Sequence, residues 1–203
     1  MNILVFGTKY IVFSLLSFFV SQQILIVYGS SVNGVVAAAT QIMALLFILE
    51  GGFTTATVTA LYKPYVEQDY TEYNIIISTT CKAFRKIACL TLLIGLPVSF
   101  LYPLFLKTEL SYIKCSIIFG LICFTTAINF YFFQVRQIMF HVAQKEFIPQ
   151  TIAMICTSVA QLLMVLVIFL KQDILIVRGV VALMLTISGI SVCLLAKRFF
   201  FVC

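Results

Sequence analysis

Ile148-Pro-Gln-Thr-Ile-Ala-Met-Ile-Cys-Thr-Ser-Val-Ala-Gln-Leu-Leu-Met-Val-Leu-Val-Ile-Phe-Leu170 contains no charged residue from end to end. About 20 apolar residues in an α-helix cross the hydrocarbon core of a bilayer, and this stretch is long enough to do so. In lipid every backbone N–H and C=O must be satisfied inside the segment, which selects helix. A barrel would show short alternating strands instead. The reading is a membrane-spanning helix.

Five further runs have the same character: Tyr10–Tyr28, Val35–Tyr62 with an interruption near Glu50-Gly51-Gly52, Ile87–Leu106, Cys115–Val135 and Ile174–Ala196. The expectation is an all-α integral membrane bundle of six helices, one domain over residues 1–203. Composition agrees. The chain is 63% hydrophobic and 10% charged, with a mean hydropathy of +1.15, whereas soluble domains carry about 25% charged residues. A net charge of +6 would suggest nucleic acid in a soluble protein. Here the basic residues flank apolar runs, so lipid headgroups and topology account for them, and nucleic acid is not an expected partner. The first run has only Lys9 before it and no small-x-small site after Tyr28, so it reads as a retained helix. The seven cysteines form no C-x-x-C pair, and the lone His141, expected in a solvated loop, has no partner at ligand spacing. Neither a disulfide framework nor a metal site is expected.

Charge placement sets orientation. Lys9, Lys63, Lys82, Arg85, Lys86, Arg136, Lys145, Lys197 and Arg198 fall on one side, nine of thirteen basic residues. Lys107, Lys114, Lys171 and Arg178 fall on the other. Both termini are therefore expected in the cytoplasm. Ser30-Ser31-Val32-Asn33-Gly34 reads as a tight outer turn. Ile77, Cys81, Phe84 and Ala88 recur at helical spacing, with Lys82, Arg85 and Lys86 elsewhere on the wheel. That pattern suits an amphipathic lead-in at the cytoplasmic interface.

Glu50 is the sharpest local feature, because a carboxylate in hydrocarbon costs several kcal/mol by insertion measures and usually faces a cavity or a partner. Gly51 and Gly52 after it can loosen the helix and free backbone groups. A proton or cation site is one reading. The other places Glu50 near the inner interface, or neutral and bonded to Gln41 or a threonine. Gly52, Ala56 and Ala60 repeat every fourth residue, a spacing for close helix packing. Ser21-Gln22-Gln23, Thr125, Thr126, Asn129 and Gln161 either line a polar path together or make separate interhelical hydrogen bonds. Arg178 is an anion partner or snorkels to the outer headgroups. No Walker loop, G-x-S-x-G or H-E-x-x-H is present, so no enzyme or ATP-driven pump is expected.

Gly29-Ser30-Ser31-Val32-Asn33-Gly34, then Leu49-Glu50-Gly51-Gly52, then Ala60-Leu61-Tyr62-Lys63-Pro64, together with Lys82-Ala83-Phe84-Arg85-Lys86, resemble the amino-terminal lobe of bacterial polysaccharide flippases. These form the O-antigen (Wzx-type) branch of the multidrug/oligosaccharidyl-lipid/polysaccharide flippase superfamily. The likeness covers residues 20 to 150. It implies a multi-pass protein of the bacterial cytoplasmic membrane that moves undecaprenyl-linked oligosaccharide between leaflets by alternating access. It implies that Glu50 lines the cavity and that Arg85 and Lys86 meet the lipid pyrophosphate. No cofactor is implied; coupling would be to a proton or sodium gradient or to the membrane potential. Ser21-Gln22-Gln23 stands where many relatives carry a basic residue. The chain stops at Phe199-Phe200-Phe201-Val202-Cys203, where a second lobe would begin, so the expectation is that it pairs with another copy or half, or is a truncated product of a longer gene. The rival expectations are a drug/cation antiporter of the same superfamily and a non-transporting membrane scaffold or remnant.

Overall fold

The structure, a computed structural model, describes residues 2–106, 108 and 110–199. Lys107, the terminal Phe200-Phe201-Val202-Cys203 and the side chain of Lys9 lie outside what is described. Among the described residues the chain is helical, without strands. Helix α1 is Asn2–Val66, α2 Tyr70–Leu101, α3 Tyr112–Ile128, α4 Val135–Val142, α5 Phe147–Phe169 and α6 Ile174–Phe199. A short 3-10 turn, Tyr102–Phe105, follows α2, and a π-helical segment, Asn129–Gln134, joins α3 to α4.

Among the described residues five helical stretches are long and apolar enough to cross a membrane, not six. The difference lies in α1, whose 65 residues would measure about 98 Å as one straight helix, roughly three times the hydrocarbon thickness. It is not straight. Gly29, at φ 86 and ψ 169, is the only residue of α1 with non-helical backbone angles. Before Gly29, α1 runs alongside α5 in the same direction: Gln161 Nε2 donates to Ser17 Oγ at 2.6 Å, and the Tyr28 hydroxyl to the Gln172 carbonyl at 2.5 Å. After Gly29 it follows α2's end and α3. The Tyr102 hydroxyl donates to the Val35 carbonyl at 2.6 Å, Cys123 Sγ meets Met43 Sδ at 3.8 Å, and Gln134 meets Glu50. The beginning of α3 and the end of α5 lie together, since Lys114 bonds Asp173 at 2.5 Å. The two halves of α1 thus run in opposite senses.

This corrects two expectations. The outer turn is the single residue Gly29, and residues 30–34 are helical. The helix also passes unbroken through Glu50-Gly51-Gly52, where both glycines are exposed with open space at the Cβ position. Gly29 occupies a backbone region that is essentially glycine-only. Gly29→Ala should therefore destabilise by about 1–3 kcal/mol, whereas Gly34→Ala should be neutral or stabilising by up to about 1 kcal/mol. Chemical denaturation in detergent measures both; equal effects would contradict a hinge at Gly29.

The connections are short and close alike. Gln68, Gln144 and Lys171 take positive φ just past α1, α4 and α5, the left-handed conformation that ends helices and returns their last carbonyls to hydrogen bonds. Asp69 then caps α2, accepting from the Thr71 and Glu72 amides at 3.0 Å each. Asp173 begins the turn into α6. The Lys114 hydrogen bond holds its carboxyl below the ordinary range, helped by the Leu175 amide. That contribution is present at neutral pH and is lost as pH falls through the lowered value; for so exposed a pair it is at most about 1 kcal/mol.

Large apolar side chains cover the outside, with Phe18 at 74%, Leu93 at 71% and Phe105 at 84% exposure. Apolar groups on every side suit lipid as the surrounding solvent. The lead-in with Ile77, Phe84 and Ala88 turns its apolar face inward. It is the first half of α2, and these residues are buried against Phe130, Ile138 and Met139, with Lys82, Arg85 and Lys86 exposed. The periodicity marked the buried face correctly; the chain uses that face for its own core. The 3.6-residue stripe continues up α2 through Thr91, Gly95 and Ser99. It is bulky at one end and small at the other.

Candidate functional site

Glu50 is buried, at 6% exposure, and both carboxylate oxygens are held. The Thr54 hydroxyl, one turn on, donates to Oε1, and Gln134 Nε2 donates to Oε2 at 2.9 Å. Gln134 ends the π-helical segment. A wide turn of this kind re-aims the side chains around it and recurs at functional sites. Here Phe130 is buried against Phe47, ring centroids 4.9 Å apart, and Gln134 is presented to α1.

Beyond these partners a cleft of about 310 Å³ runs between α1 and the π–α4 stretch, lined by Thr54, Thr55, Thr59, Gln134, Gln137, His141 and Glu146 among others. Gln134, Gln137 and His141 are three and four residues apart, so they share one helical face. His141 lies in the last turn of α4, not in a loop. The left-handed turn at Gln144 brings Glu146 back over it: His141 Nδ1 and Glu146 Oε2 are 2.6 Å apart. The other oxygen of Glu146 accepts from Gln137 at 3.3 Å and Gln150 at 3.4 Å. Gln137 also lines a second cavity, about 280 Å³, with Asn129, Thr125, Gln150, Thr157 and Ser188. On its other flank Glu50 borders an apolar groove of about 570 Å³ between α1 and α2, lined by Met43, Leu46, Phe53, Ile87, Ile94 and others.

The expected site residues divide. Glu50 is buried beside the apolar groove with Thr54 and Gln134 as its partners, and Gln41 is exposed. Asn129 lies in the second cavity. Gln22 is exposed and Gln23 half-buried, and Gln161 is turned to Ser17, so no single polar path joins them to Thr125 and Asn129. Arg85 is exposed at 5.5 Å from the Tyr131 ring centroid, Lys86 is exposed, and neither lines the cleft. Arg178 is half-buried and its Nε has no hydrogen-bond partner among the described residues. Gly52, Ala56 and Ala60 are exposed, making no close helix contact within the chain. Gln134, Gln137 and Glu146 were not singled out from the sequence. No group of three metal-binding side chains is found among the described residues.

No protein-family model, curated protein or solved structure matches this chain.

Proposed function

We propose that this chain is a six-crossing lobe of a transporter moving lipid-linked oligosaccharide across the bacterial cytoplasmic membrane, with Glu50 binding the coupling proton or sodium ion. The observation that carries the reading is the buried Glu50 carboxylate, bordering the apolar groove and held by Thr54 and Gln134, two side chains that line the neighbouring cleft. An intramembrane carboxylate is costly and is kept where it serves an ion pathway. The reversal of α1 at Gly29 supports two crossings in place of one. Lys63, Lys145, Lys197 and Arg198 gather at the end where α1, α4 and α6 finish, which favours that end at the inner leaflet. Arg85 and Lys86, exposed on α2, would meet the pyrophosphate electrostatically. A second lobe, or a second copy, would close the cavity and rock against this one.

Two measurements test the reading. In a cysteine-free background, Gln144→Cys should react with impermeant thiol reagents from the inside and Gln172→Cys from the outside; the reverse pattern overturns the orientation. In proteoliposomes, the full chain should move a fluorescent lipid-linked oligosaccharide between leaflets, faster under an imposed proton or sodium gradient. Movement indifferent to every gradient would remove the ion role of Glu50.

One observation favours a second reading, a lipophilic-cation antiporter. Glu146 lines the cleft, no Lys or Arg does, and Glu50, held by two residues of that lining, borders the apolar groove. Carboxylates beside an apolar wall suit a hydrophobic cation better than a pyrophosphate. Gradient-driven movement of such a cation, without oligosaccharide movement, would decide for it.

A further inference from the structure

The cleft has two ends. At one end stand Thr54 and Gln134, which line the cleft and hold Glu50 behind them; at the other stand His141, its side chain 44% exposed, and Glu146, 19% exposed. Seven residues separate Gln134 from His141, about 10 Å along a helix. Between them Thr54, Thr55, Thr59 and Gln137 contribute hydroxyls and an amide, beside the apolar Val58 and Ile138. At about 30 Å³ per molecule, the volume holds on the order of ten waters with polar partners on both walls.

We infer that the His141–Glu146 pair is the proton-loading site for Glu50, taking a proton from bulk water and passing it along water in the cleft to the Thr54 hydroxyl, which gives its own proton to the Glu50 carboxylate. The inference rests on Glu50 as the coupling site, and it narrows the ion to a proton. With Glu146 ionised, the 2.6 Å contact is an Nδ1–H donating to Oε2, which leaves Nε2 as the free base. A proton accepted at Nε2 makes an imidazolium held against the carboxylate. Its release to cleft water as hydronium restores the neutral ring, and Glu50 ends as a carboxylic acid. Glu146 is fixed for this role by the Gln137 and Gln150 amides.

The other charged and titratable groups near α4 are directed elsewhere. Arg136 donates to the Tyr131 carbonyl, Arg85 stands over the Tyr131 ring, and Lys145 lies 5.3 Å from the Phe199 ring centroid. Tyr73 of α2 is in the apolar core with Ile138 and Met139, and Lys63, Lys197 and Arg198 close the last turns of α1 and α6. None of them lines the cleft.

Infrared spectroscopy of the full chain in lipid films, after a pH jump, follows the protonated carboxyl band that Glu50→Gln removes. His141→Asn should slow its appearance on the order of 100-fold, the usual contribution of a positioned acid–base group. Imidazole in the buffer should restore the rate in this variant and leave the parent unchanged. Glu146→Gln, which keeps the side-chain shape, should slow it in the same direction and provides the test if His141→Asn does not insert. An unaltered rate in both variants, or a loss of thermal stability without kinetic change or rescue, overturns the relay while Glu50 keeps its role. A carboxyl band that Glu50→Gln leaves intact overturns both.

Discussion

Glu50→Gln is expected to abolish gradient-driven transport while leaving the fold in place. The carboxamide has nearly the same volume and keeps one oxygen for Thr54 or Gln134. Its NH2 group then faces a second donor, so one hydrogen bond is lost, at about 1 kcal/mol. What the amide cannot do is exchange a proton or hold a cation. Glu50→Ala separates the structural part from the functional one. Thr54 has a substitute partner one turn back, as Thr40, Thr55, Thr57 and Thr59 do with their own helix carbonyls. Gln134 has none on α1, and its orphaned amide should destabilise by about 1–3 kcal/mol. Transport by Glu50→Gln that keeps the parent's dependence on the gradient would take Glu50 out of the mechanism. Equal stability of Glu50→Ala and the parent would mean that water already replaces the Gln134 bond.

Where the helices lie was legible, because length and hydropathy decide it. The run Ile148–Leu170 becomes Phe147–Phe169, and Ile174–Ala196 becomes the body of Ile174–Phe199. The reversal of α1 was legible to within a residue, at 30–34 against the observed Gly29, but the interruption expected at Gly51-Gly52 is absent from the helix. Gly51 and Gly52 look the better hinge on composition, yet glycine is tolerated inside a helix. What forces φ positive at Gly29 is the need to reverse α1 between α5 and α3, a property of the assembled bundle. The polar path expected from Gln22, Gln23, Asn129 and Gln161 failed for a related reason. Helix rotation is set by packing, and packing turned Gln161 to Ser17 and left Gln22 outside. Part of the cleft was within reach. Drawing the fourth helix on past Val135 would have put Gln134, Gln137 and His141 on one face. Glu146 joins them only through the left-handed turn at Gln144, and the sequence has no glycine there to announce it.

Gly95→Ala should be among the most damaging small substitutions, although it adds one methyl group to a helix and raises helix propensity. A Cβ at position 95 would stand 2.7 Å from Cys123 Sγ and 3.1 Å from its Cβ. The thiol lies in a fully buried site against Met43 Sδ, so it cannot swing away freely, and the position of the Cβ is fixed by the backbone of α3. Overpacking of this kind costs about 1–3 kcal/mol. Small residues on one face let membrane helices approach closely. On α2 these are Ala88, Thr91, Gly95 and Ser99, whereas Tyr73, Ile77 and Phe84 occupy the same face nearer its start. The bundle is accordingly tight where α2 meets Cys123. Cys123→Ala removes the nearer of the two colliding atoms. In the double variant the remaining 3.1 Å contact needs only a few tenths of an ångström of relief, so the double-mutant cycle should return a favourable coupling of at least about 0.5 kcal/mol. Unfolding midpoints in detergent for the four proteins measure it. Strict additivity would place α2 and α3 further apart at this level than the Gly95–Cys123 contact requires.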